Sequence, residues 1–491
     1  MDETQPLLPD NPTEPIPSNL DKDIVTFDAD GDPENPEDWP KTYKWGIVAL
    51  LAFMAFTVTF TCISVVPVAN RIVDDLSDGH PSKSSSVLLV TIWELGEAGG
   101  PFLIAPLSEL FGRYPVINAA NILFISATAM AALCQSTPLF IAARCLTGVA
   151  VASNVLNPAI VGDIFVSDQR GSAMSSIMLA PLIGGAIGPA IAGAIAQSLG
   201  WRQVLWMSVV LASVAEVLFL TCFRETYKVP ILRRKAARLR HETGNLNLRT
   251  AFDIGENKNH STSRKFWESI LRPLVVFADS TVLQLLSVYG SLTFSYFYIM
   301  STTLPDILQD IYHLSPALTG SSFVCFSIGS AITVILCNLL LDRIYIRLRE
   351  SHNGIEQPEF RLPMVLVGAF TMPFVIAVYG WIPQLHLSLA IMLVGVGALG
   401  MTLVLGMVPL MAYVVDTFKL YSASAMTAVI VMRCLMATFL PLMAEPLVRA
   451  LGWGYGFTVL GGVSLCFAPI PVLIFRYGAK WRQWSKYTRE E

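Results

Sequence analysis

Residues 180–199 read APLIGGAIGPAIAGAIAQSL, and on a helix their small residues form two stripes with almost no side chains. The stripes include Gly184, Gly188, Pro189 and Gly193. Glycine is unfavourable in a water-exposed helix, but in lipid small residues let two helix backbones approach closely. Pro189 removes a main-chain donor and so predicts a bend. The stretch therefore indicates a kinked membrane helix that packs closely against a neighbour.

The composition of the whole chain is that of a membrane protein. Of its 491 residues, 53% are hydrophobic and 14% are charged, and the mean hydropathy is +0.56, unlike an ordinary soluble domain. Twelve apolar runs are each long enough to cross a hydrocarbon core of about 30 Å as a helix. We number them spans 1 to 12 and place them near residues 45–70, 86–109, 115–135, 138–164, 172–198, 203–222, 280–304, 317–341, 362–381, 387–414, 421–446 and 455–476. The stretch quoted above falls on span 5.

Lysine and arginine residues are distributed unequally between the two ends of these spans. We count 27 on the side of the chain termini and four on the opposite side, while Arg144 and Arg433 lie inside spans. Positively charged residues are concentrated in the cytoplasmic loops of membrane proteins. Both termini are therefore predicted to be cytoplasmic.

Polar stretches divide the chain into regions. We predict a disordered, acidic and proline-rich cytoplasmic tail at 1–43, a six-helix half at 44–222, a cytoplasmic linker at 223–279, a second six-helix half at 280–478 and a cytoplasmic tail at 479–491. The first tail is too polar to bury a core, and residues 232–242 of the basic linker have the pattern of an amphipathic helix. Weak echoes relate the two halves, such as Leu-Gly-Trp before both span 6 and span 12. The predicted fold is an all-α membrane protein of twelve transmembrane helices in two pseudo-symmetric halves, with a substrate site between them.

Several short motifs resemble those of one transporter family. In chain order they are DPENPEDW (32–39) with KW (44–45), LSELFGR (107–113), Arg144…Gly148, GGAIGPAIAG (184–193) and RETY (224–227). The first resembles the entry segment of fungal drug:proton antiporters. The second and third resemble the loop 2–3 and fourth-helix motifs of the major facilitator superfamily, and the fourth resembles its antiporter signature on the fifth helix. The chain is thus similar to that superfamily, and within it to the fungal drug:proton antiporters with twelve spans.

The resemblance implies a secondary transporter that works by alternating access. It implies proton-coupled export of small hydrophobic or amphipathic compounds, such as drugs, xenobiotics or a secondary metabolite. The alternatives are a proton-coupled importer or facilitator of a small metabolite, such as a polyamine or organic acid, and a sensor on the same fold that moves no substrate. The expected partners are a small-molecule substrate, protons and the lipid bilayer. We also expect the small stripe of span 5 to pack against a helix of the other half and seal the path.

Two carboxylates and an arginine lie deep inside predicted spans. Glu94 and Glu97 are three residues apart and share one face of span 2, while Arg144 enters span 4 at a similar depth. Each such charge costs about 2.5–3.5 kcal/mol on insertion scales and indicates a functional site. We expect Arg144 to pair with one of the glutamates, and one glutamate to bind a proton because two neighbouring carboxylates do not easily both ionise. The alternative is a static ion pair that only fixes helix packing.

Charged residues at the cytoplasmic ends of spans 2–4 and 6 predict a charge cluster. Its members are Glu109, Arg113, Asp163, Arg170 and Glu225. Our hypothesis is a gate that is locked while the transporter faces outward and breaks when it opens inward. The alternative is ordinary capping of helix ends by solvated charges.

Further residues are candidates for the lining of a substrate cavity. Aromatic rings with hydroxyl groups suit flat amphipathic compounds, although such residues also face lipid or neighbouring helices. The candidates are Asn154, Asn157, Tyr289, Phe294, Tyr296, Tyr298 and Arg433.

The sequence lacks the constellations of other function classes. It contains no P-loop GxxxxGK[ST], no metal-type cysteine spacing and no nucleophile elbow. We therefore expect a protein that is not an enzyme, with no cofactor, no metal and no nucleic-acid partner, and we expect a monomer. The plasma membrane is the expected location. The dileucine-like stretch ETQPLL at residues 3–8 makes the vacuolar membrane the alternative.

Overall fold

A computed structural model of the chain describes residues 24–28, 31–77, 82–245, 247–250, 252, 262–354 and 357–489. Within these residues nearly all elements are helices. The strands described are a parallel pair of two residues each, β1 (Ile24–Val25) and β2 (Arg249–Thr250), with Ile24 opposite Arg249. Ten of the described helices are long and apolar enough to cross a membrane.

The first six spans form the part of the chain that we call the first half, residues 41–222. They are span 1 (Lys41–Ile63), span 2 (Lys83–Phe111), span 3 (Arg113–Leu133), span 4 (Thr137–Val149 and Ser153–Ile164), span 5 (Ser167–Ser198) and span 6 (Trp201–Cys222). A short helix, Ala69–Leu76, follows span 1. Span 5 is one uninterrupted helix although it contains two prolines.

The last six spans form the second half, residues 281–482. They are span 7 (Thr281–Asp306), span 8 (Pro316–Ser321 and Phe323–Ser351), span 9 (Pro363–Gln384), span 10 (Leu389–Phe418), span 11 (422–451) and span 12 (453–482). The linker between the halves contains two further helices, Lys228–Thr243 and Thr262–Asp279.

Two irregularities explain why ten long helices correspond to twelve predicted spans. Span 4 is interrupted at 150–152, so its two pieces are each too short to count as a membrane helix. The run Ser422–Arg482 counts as a single helix of 61 residues. It turns at Gly452, whose φ of 79° breaks the helical geometry and separates span 11 from span 12.

Spans 2 and 4 approach so closely that glycine is required where they meet. A Cβ on Gly96 would collide with the main-chain carbonyl of Cys145, and a Cβ on Gly148 would collide with that of Trp93. Gly148 belongs to the Arg144…Gly148 motif, so the motif's glycine has a packing role. The contact also brings Arg144 close to span 2.

The described chain ends and the linker lie at one end of the helix bundle. The Tyr43 hydroxyl at the start of span 1 donates to the carbonyl of Cys222 at the end of span 6, at 2.7 Å. The Ser485 hydroxyl donates to Asp279, just before span 7, at 2.6 Å. We call this end the terminal end and the opposite end the far end.

The expectation of a disordered tail over 1–43 is wrong for its last part. Residues 1–23, which include the dileucine-like stretch, lie outside the described residues. Residues 31–40 form a folded segment with a 3-10 helix at Pro36–Asp38 and a buried Trp39. The reason is that its carboxylates pair with basic side chains of the linker helix Lys228–Thr243, a partner that composition alone does not reveal.

Candidate functional site

An ion pair joins the two halves in the middle of the bundle. The Arg433 Nη2 of span 11 donates to the Glu97 Oε1 of span 2 at 2.9 Å. The other oxygen of Glu97 accepts a hydrogen bond from the Trp93 indole at 3.2 Å. Glu97 is only 7% exposed, so its charge depends on these partners rather than on water.

The second carboxylate of span 2 also reaches across to the second half. The Tyr298 hydroxyl of span 7 donates to Glu94 Oε1 at 2.8 Å, and it lies 3.7 Å from the Cys62 thiol of span 1. Glu94 is 2% exposed, and its Oε2 has no hydrogen-bond partner among the described residues. The charge of Arg433 is within electrostatic reach of Glu94 as well.

The expected ion pair between Arg144 and Glu94 or Glu97 is not made. Arg144 instead donates to two main-chain carbonyls of span 1, those of Thr61 at 3.1 Å and Cys62 at 2.8 Å. Span 1 ends at Ile63, so these carbonyls belong to its last turn, where no helical N–H is available to them. A cation is favoured there by the helix dipole as well.

The buried network therefore contains two carboxylates and two guanidinium groups contributed by both halves. Its aromatic members are Trp93, whose ring lies 5.0 Å from the Arg144 guanidinium, and Phe294, whose ring lies 4.3 Å from that of Arg433. A buried carboxylate of this kind can exchange its ion pair for a proton, which removes the charge without exposing it to water. Chemically, the network can bind a proton and can release the contact between spans 2 and 11.

Of the cavity candidates, the structure brings Phe294, Tyr298 and Arg433 to this network. Tyr289 and Tyr296 do not belong to this network. The Tyr296 hydroxyl donates to the Leu460 carbonyl of span 12 at 2.7 Å, and Tyr289 is buried within the second half. The aromatic run of span 7 winds around the helix, so its members face different neighbours.

The structure describes only one of the two asparagine side chains of span 4. Asn157 is buried in the first half. The side chain of Asn154 lies outside the described part of the structure.

The small stripe of span 5 packs against two neighbouring helices rather than one. Near its middle, a Cβ on Gly184 would lie 2.9 Å from the Phe56 carbonyl, and a Cβ on Gly188 would lie 3.4 Å from the Phe60 ring, both on span 1 of the same half. Near its end, a Cβ on Gly193 would collide with the Pro316 carbonyl at the start of span 8. The expected packing against the other half is thus made at Gly193, and not at Gly184 or Gly188.

Pro189 takes part in the same contact between the halves. A Cβ on Gly320 of span 8 would collide with the Pro189 carbonyl of span 5. Spans 5 and 8 therefore meet main chain to main chain at the far end of the bundle.

At the terminal end, three of the five predicted cluster residues come together. Arg113 Nε lies 3.3 Å from Asp163 Oδ2, and Glu225 accepts the main-chain N–H groups of Arg113 at 2.8 Å and Tyr114 at 3.2 Å. Glu225 thus caps the first turn of span 3 with a negative charge, which stabilises it. Gly112 makes room for this cap, since its φ is +98° and a Cβ there would collide with the Glu225 carboxylate.

The other two members of the predicted cluster lie at its edge. Arg170 donates to the carbonyls of Phe165 and Gly162, each at 2.9 Å. Glu109 is exposed, and its charge interacts with Arg113 and with Arg272 of the second linker helix. Four of the five residues belong to the first half, and Glu225 lies just after the end of span 6.

The far end holds further polar contacts between the halves. Lys83 of span 2 forms an ion pair with Asp306 of span 7, and Asn70 donates to the same carboxylate at 2.8 Å. Between this pair and the central network, the Thr91 hydroxyl donates to the Thr438 carbonyl at 2.9 Å. Between the described residues of the two halves, the hydrogen bonds and ion pairs all lie at the central network or nearer the far end.

A comparison with known protein families fits this two-half architecture. The sequence profile described as "Major Facilitator Superfamily" matches residues 47–441. The chain belongs to the major facilitator superfamily.

Relatives of this superfamily member cover almost its whole length. It is 33% identical to the "Efflux pump radE" of Floropilus chiversii, over 96% of this chain and 87% of the relative. It is 32% identical to the "MFS transporter cpaT" of Aspergillus oryzae, over 94% of this chain and 92% of the relative.

Solved structures of superfamily members share the fold. A D-xylose-proton symporter matches with a TM-score of 0.65 at 14% identity, over 87% of this chain and 97% of the other. The peptide transporter POT matches with a TM-score of 0.62 at 16% identity, over 96% and 99%. The prediction of an all-α membrane protein of the major facilitator fold is confirmed, and so is the prediction that the chain is a transporter and not an enzyme.

Sequence reasoning missed several residues of this transporter that the structure brings into contact. Arg433 was a cavity candidate without a partner, and the bond between Thr91 and Thr438 was not foreseen. In the second half, Arg361 pairs with Asp342 at 2.6 Å and with Asp416 at 2.9 Å. Arg361, Asp342 and Asp416 lie at the ends of spans 8–10, just as Arg113 and its partners lie at the ends of spans 2–4. The repeat of an acid at the end of one span and an arginine at the start of the next is the signal that could have found them.

Proposed function

We propose that this protein is a proton-coupled exporter of small hydrophobic or amphipathic compounds. The observation that carries the proposal is the ion pair of Arg433 with the buried Glu97, which belong to different halves. A relative named as an efflux pump supports the direction of transport. The resemblance to fungal drug:proton antiporters supports both the coupling ion and the substrate class.

In the proposed cycle, a proton competes with Arg433 for Glu97. Substrate that enters from the cytoplasm displaces Arg433 from Glu97, so the contact between spans 2 and 11 weakens and the far end opens. A proton from outside then neutralises Glu97 as the substrate leaves. After the far end closes, release of this proton to the cytoplasm restores the ion pair, so the substrate moves out as the proton moves in. Because Glu97 is buried and the Arg433 side chain is only 18% exposed, leaving one of the two charges without a partner is unfavourable, and protonation is therefore coupled to movement.

The contacts between the halves support an inward-facing state. With the terminal end in the cytoplasm, as the distribution of lysine and arginine predicts, the far end is the outer end and is closed. Substrate would then enter from the cytoplasm toward Phe294, Tyr298 and Arg433. Aromatic rings around a polar centre suit a flat amphipathic compound.

An inward-facing state changes the hypothesis that the terminal cluster is a gate. A gate that breaks on inward opening would be open in the proposed state, whereas Arg113 and Asp163 are in contact at 3.3 Å. We therefore propose that the cluster is a brace, which holds the ends of spans 2, 3, 4 and 6 together as the first half moves. The bonds of Arg113, Asp163 and Glu225 join the ends of spans 3, 4 and 6, which supports this role.

Reconstituted vesicles test the proposal. An imposed proton gradient should drive movement of fluorescent amphipathic compounds, and Glu97→Gln should abolish the effect of the gradient. Glu445→Gln is the matched control, because Glu445 pairs with Arg449 one turn away on span 11, and Arg449 is exposed. Gradient-driven movement that survives Glu97→Gln would overturn the proposed coupling.

The direction of transport and the alternatives are separated by a second measurement. Loss of an exporter raises the retention of its substrate in cells, whereas loss of an importer of a polyamine or organic acid lowers it. Binding without flux in vesicles would favour the sensor. We also propose a monomer in the plasma membrane, which cross-linking and localisation of the full-length protein would test.

A further inference from the structure

The DPENPEDW motif is folded, although the proposed transport cycle gives it no role. Asp32 Oδ1 accepts the main-chain N–H of Glu34 at 2.9 Å, and the Trp39 indole donates to the Pro33 carbonyl at 3.1 Å. Asn35 caps the 3-10 helix that follows it. The two prolines of the motif have fixed φ angles, so this short segment needs few contacts to hold its shape.

The motif is attached to the first half through span 1. The Trp39 ring lies 5.2 Å from the Tyr43 ring, and the Lys44 ammonium donates to the Glu37 carbonyl. Tyr43 in turn donates to the carbonyl of Cys222 at the end of span 6. The segment is therefore an extension of the first half.

The linker helix Lys228–Thr243 lies against this segment with one charged face. Its residues 228, 235 and 238 are seven and three positions apart, which places them on the same side of a helix. Each of them binds a carboxylate of the segment. The pairs are Lys228 with Glu37 at 3.0 Å, Lys235 with Asp32 at 2.6 Å and Arg238 with Glu34 at 2.6 Å.

The central pair of this contact is buried. Asp32 is 4% exposed, and the Lys235 ammonium also donates to the Thr26 carbonyl at 3.2 Å and lies 3.5 Å from Asp28. Burial alone would raise the pKa of Asp32, but hydrogen bonds from Lys235 and from main-chain N–H groups hold that pKa below its ordinary value. A buried ion pair is little screened by salt.

A second contact lies beyond the end of the linker helix at Gly244. There β1 pairs in parallel with β2, so that Ile24 faces Arg249 and Val25 faces Thr250. The segment thus contacts the linker at two places, Lys235 and Arg249, which are 14 residues apart in sequence.

We propose that segment 24–40 is a clasp that holds the linker helix Lys228–Thr243 on the first half throughout the transport cycle. The linker must follow the relative movement of the halves. With the clasp closed, residues 228–250 of the linker stay with the first half. The inference goes beyond the proposed function, because it depends neither on the substrate nor on protons.

The first test measures release of the linker helix. In the full-length purified protein, Asp32→Asn should raise trypsin cleavage at Arg240 by more than about tenfold, since cleavage follows the population of the open form. The matched control is Glu34→Gln, which removes the exposed pair with Arg238 and should change cleavage little. Wild-type cleavage in Asp32→Asn would overturn the clasp.

The second test cross-links the closed clasp in a protein that keeps Asp32. Cysteines at the paired positions, Ile24→Cys with Arg249→Cys, can form a disulfide at the distance of neighbouring strands. A clasp that stays closed predicts equal transport rates before and after oxidation. Loss of transport on oxidation that is recovered on reduction would show that the segment has to open, and it would overturn the proposal. This test also decides the matter if Asp32→Asn does not reach the membrane.

Discussion

Glu97 on span 2 and Arg433 on span 11 form an ion pair of 2.9 Å although 336 residues separate them. The pair lies where the two halves of the transporter meet, and Tyr298 and Glu94 make a second bond beside it. Binding of a proton at this place would change a contact between the halves directly. The position of the pair thus connects the chemistry of a carboxylate to a movement of helices.

The first prediction separates stability from coupling at this pair. Removing one partner of a buried ion pair costs about 3–5 kcal/mol, because the other charge is left uncompensated. Glu97→Gln and Arg433→Met should each lower the thermal stability of the purified protein. The double variant should recover most of the loss but remain inactive in proton-driven transport. Full activity of the double variant would mean that the pair only fixes packing.

The second prediction concerns the contact between spans 5 and 8. Gly193→Ala places a Cβ against the Pro316 carbonyl, so the far end should close less often and transport should fall. Labelling of a cysteine at Lys83 by an impermeant thiol reagent should increase. Gly171→Ala is the matched control on the same helix, since a Cβ there meets nothing within 4 Å. Unchanged labelling in Gly193→Ala would contradict the assignment.

The third prediction concerns the crossing of spans 2 and 4. Gly148→Ala should destabilise the folded protein by about 1–3 kcal/mol or more, as overpacking of a close contact does, because the new methyl group meets main chain rather than a flexible side chain. Gly99→Ala on span 2 has free space at the Cβ position and should be neutral. Thermal unfolding of both variants in the same detergent provides the comparison.

The fourth prediction gives the pH dependence of the clasp. The pKa of Asp32 is lowered from its ordinary value of 3.8, so its contribution to stability is present above that value and is lost as the pH falls through the lowered pKa. Burial lowers the pKa of Lys235, but its bonds to Asp32 and Asp28 outweigh this and raise it above 10.5. The contribution of Lys235 is therefore present below 10.5 and is lost only at still higher pH. Hydrogen exchange of the clasp, corrected for intrinsic rates, should be constant from about pH 5 to 9, and a marked change near neutrality would contradict this.

The fifth prediction tests the brace at the terminal end. Glu225→Gln keeps the shape of the cap of span 3 but removes its charge, so stability should fall by about 0.5–2 kcal/mol. Arg113→Ala should lower stability in the same direction and slow transport. Neither variant should change labelling at the far end, because the bonds of these residues join the ends of spans of the first half. Decreased far-end labelling in Arg113→Ala would restore the gate hypothesis, because loss of a lock on the outward-facing state favours the inward-facing state.

The sequence by itself determined the class of this protein, because apolar length and the bias of lysine and arginine are properties of single segments. The spacing of small residues in GGAIGPAIAG also predicted a helix that packs closely against a neighbour, and Gly193 does so. These are local signals, since a helix has to satisfy its own backbone in lipid whatever surrounds it.

Only the tertiary structure decided which side chains meet. Arg144 was expected to pair with a glutamate of span 2, but it donates to main-chain carbonyls in the last turn of span 1, and Arg433 pairs with Glu97 instead. Tyr296 and Tyr298 are two residues apart, yet one bonds to span 12 and the other to Glu94. The physical reason is that the rotation of each helix and the choice of its neighbours come from packing among twelve helices. The periodicity of a single segment does not contain that information.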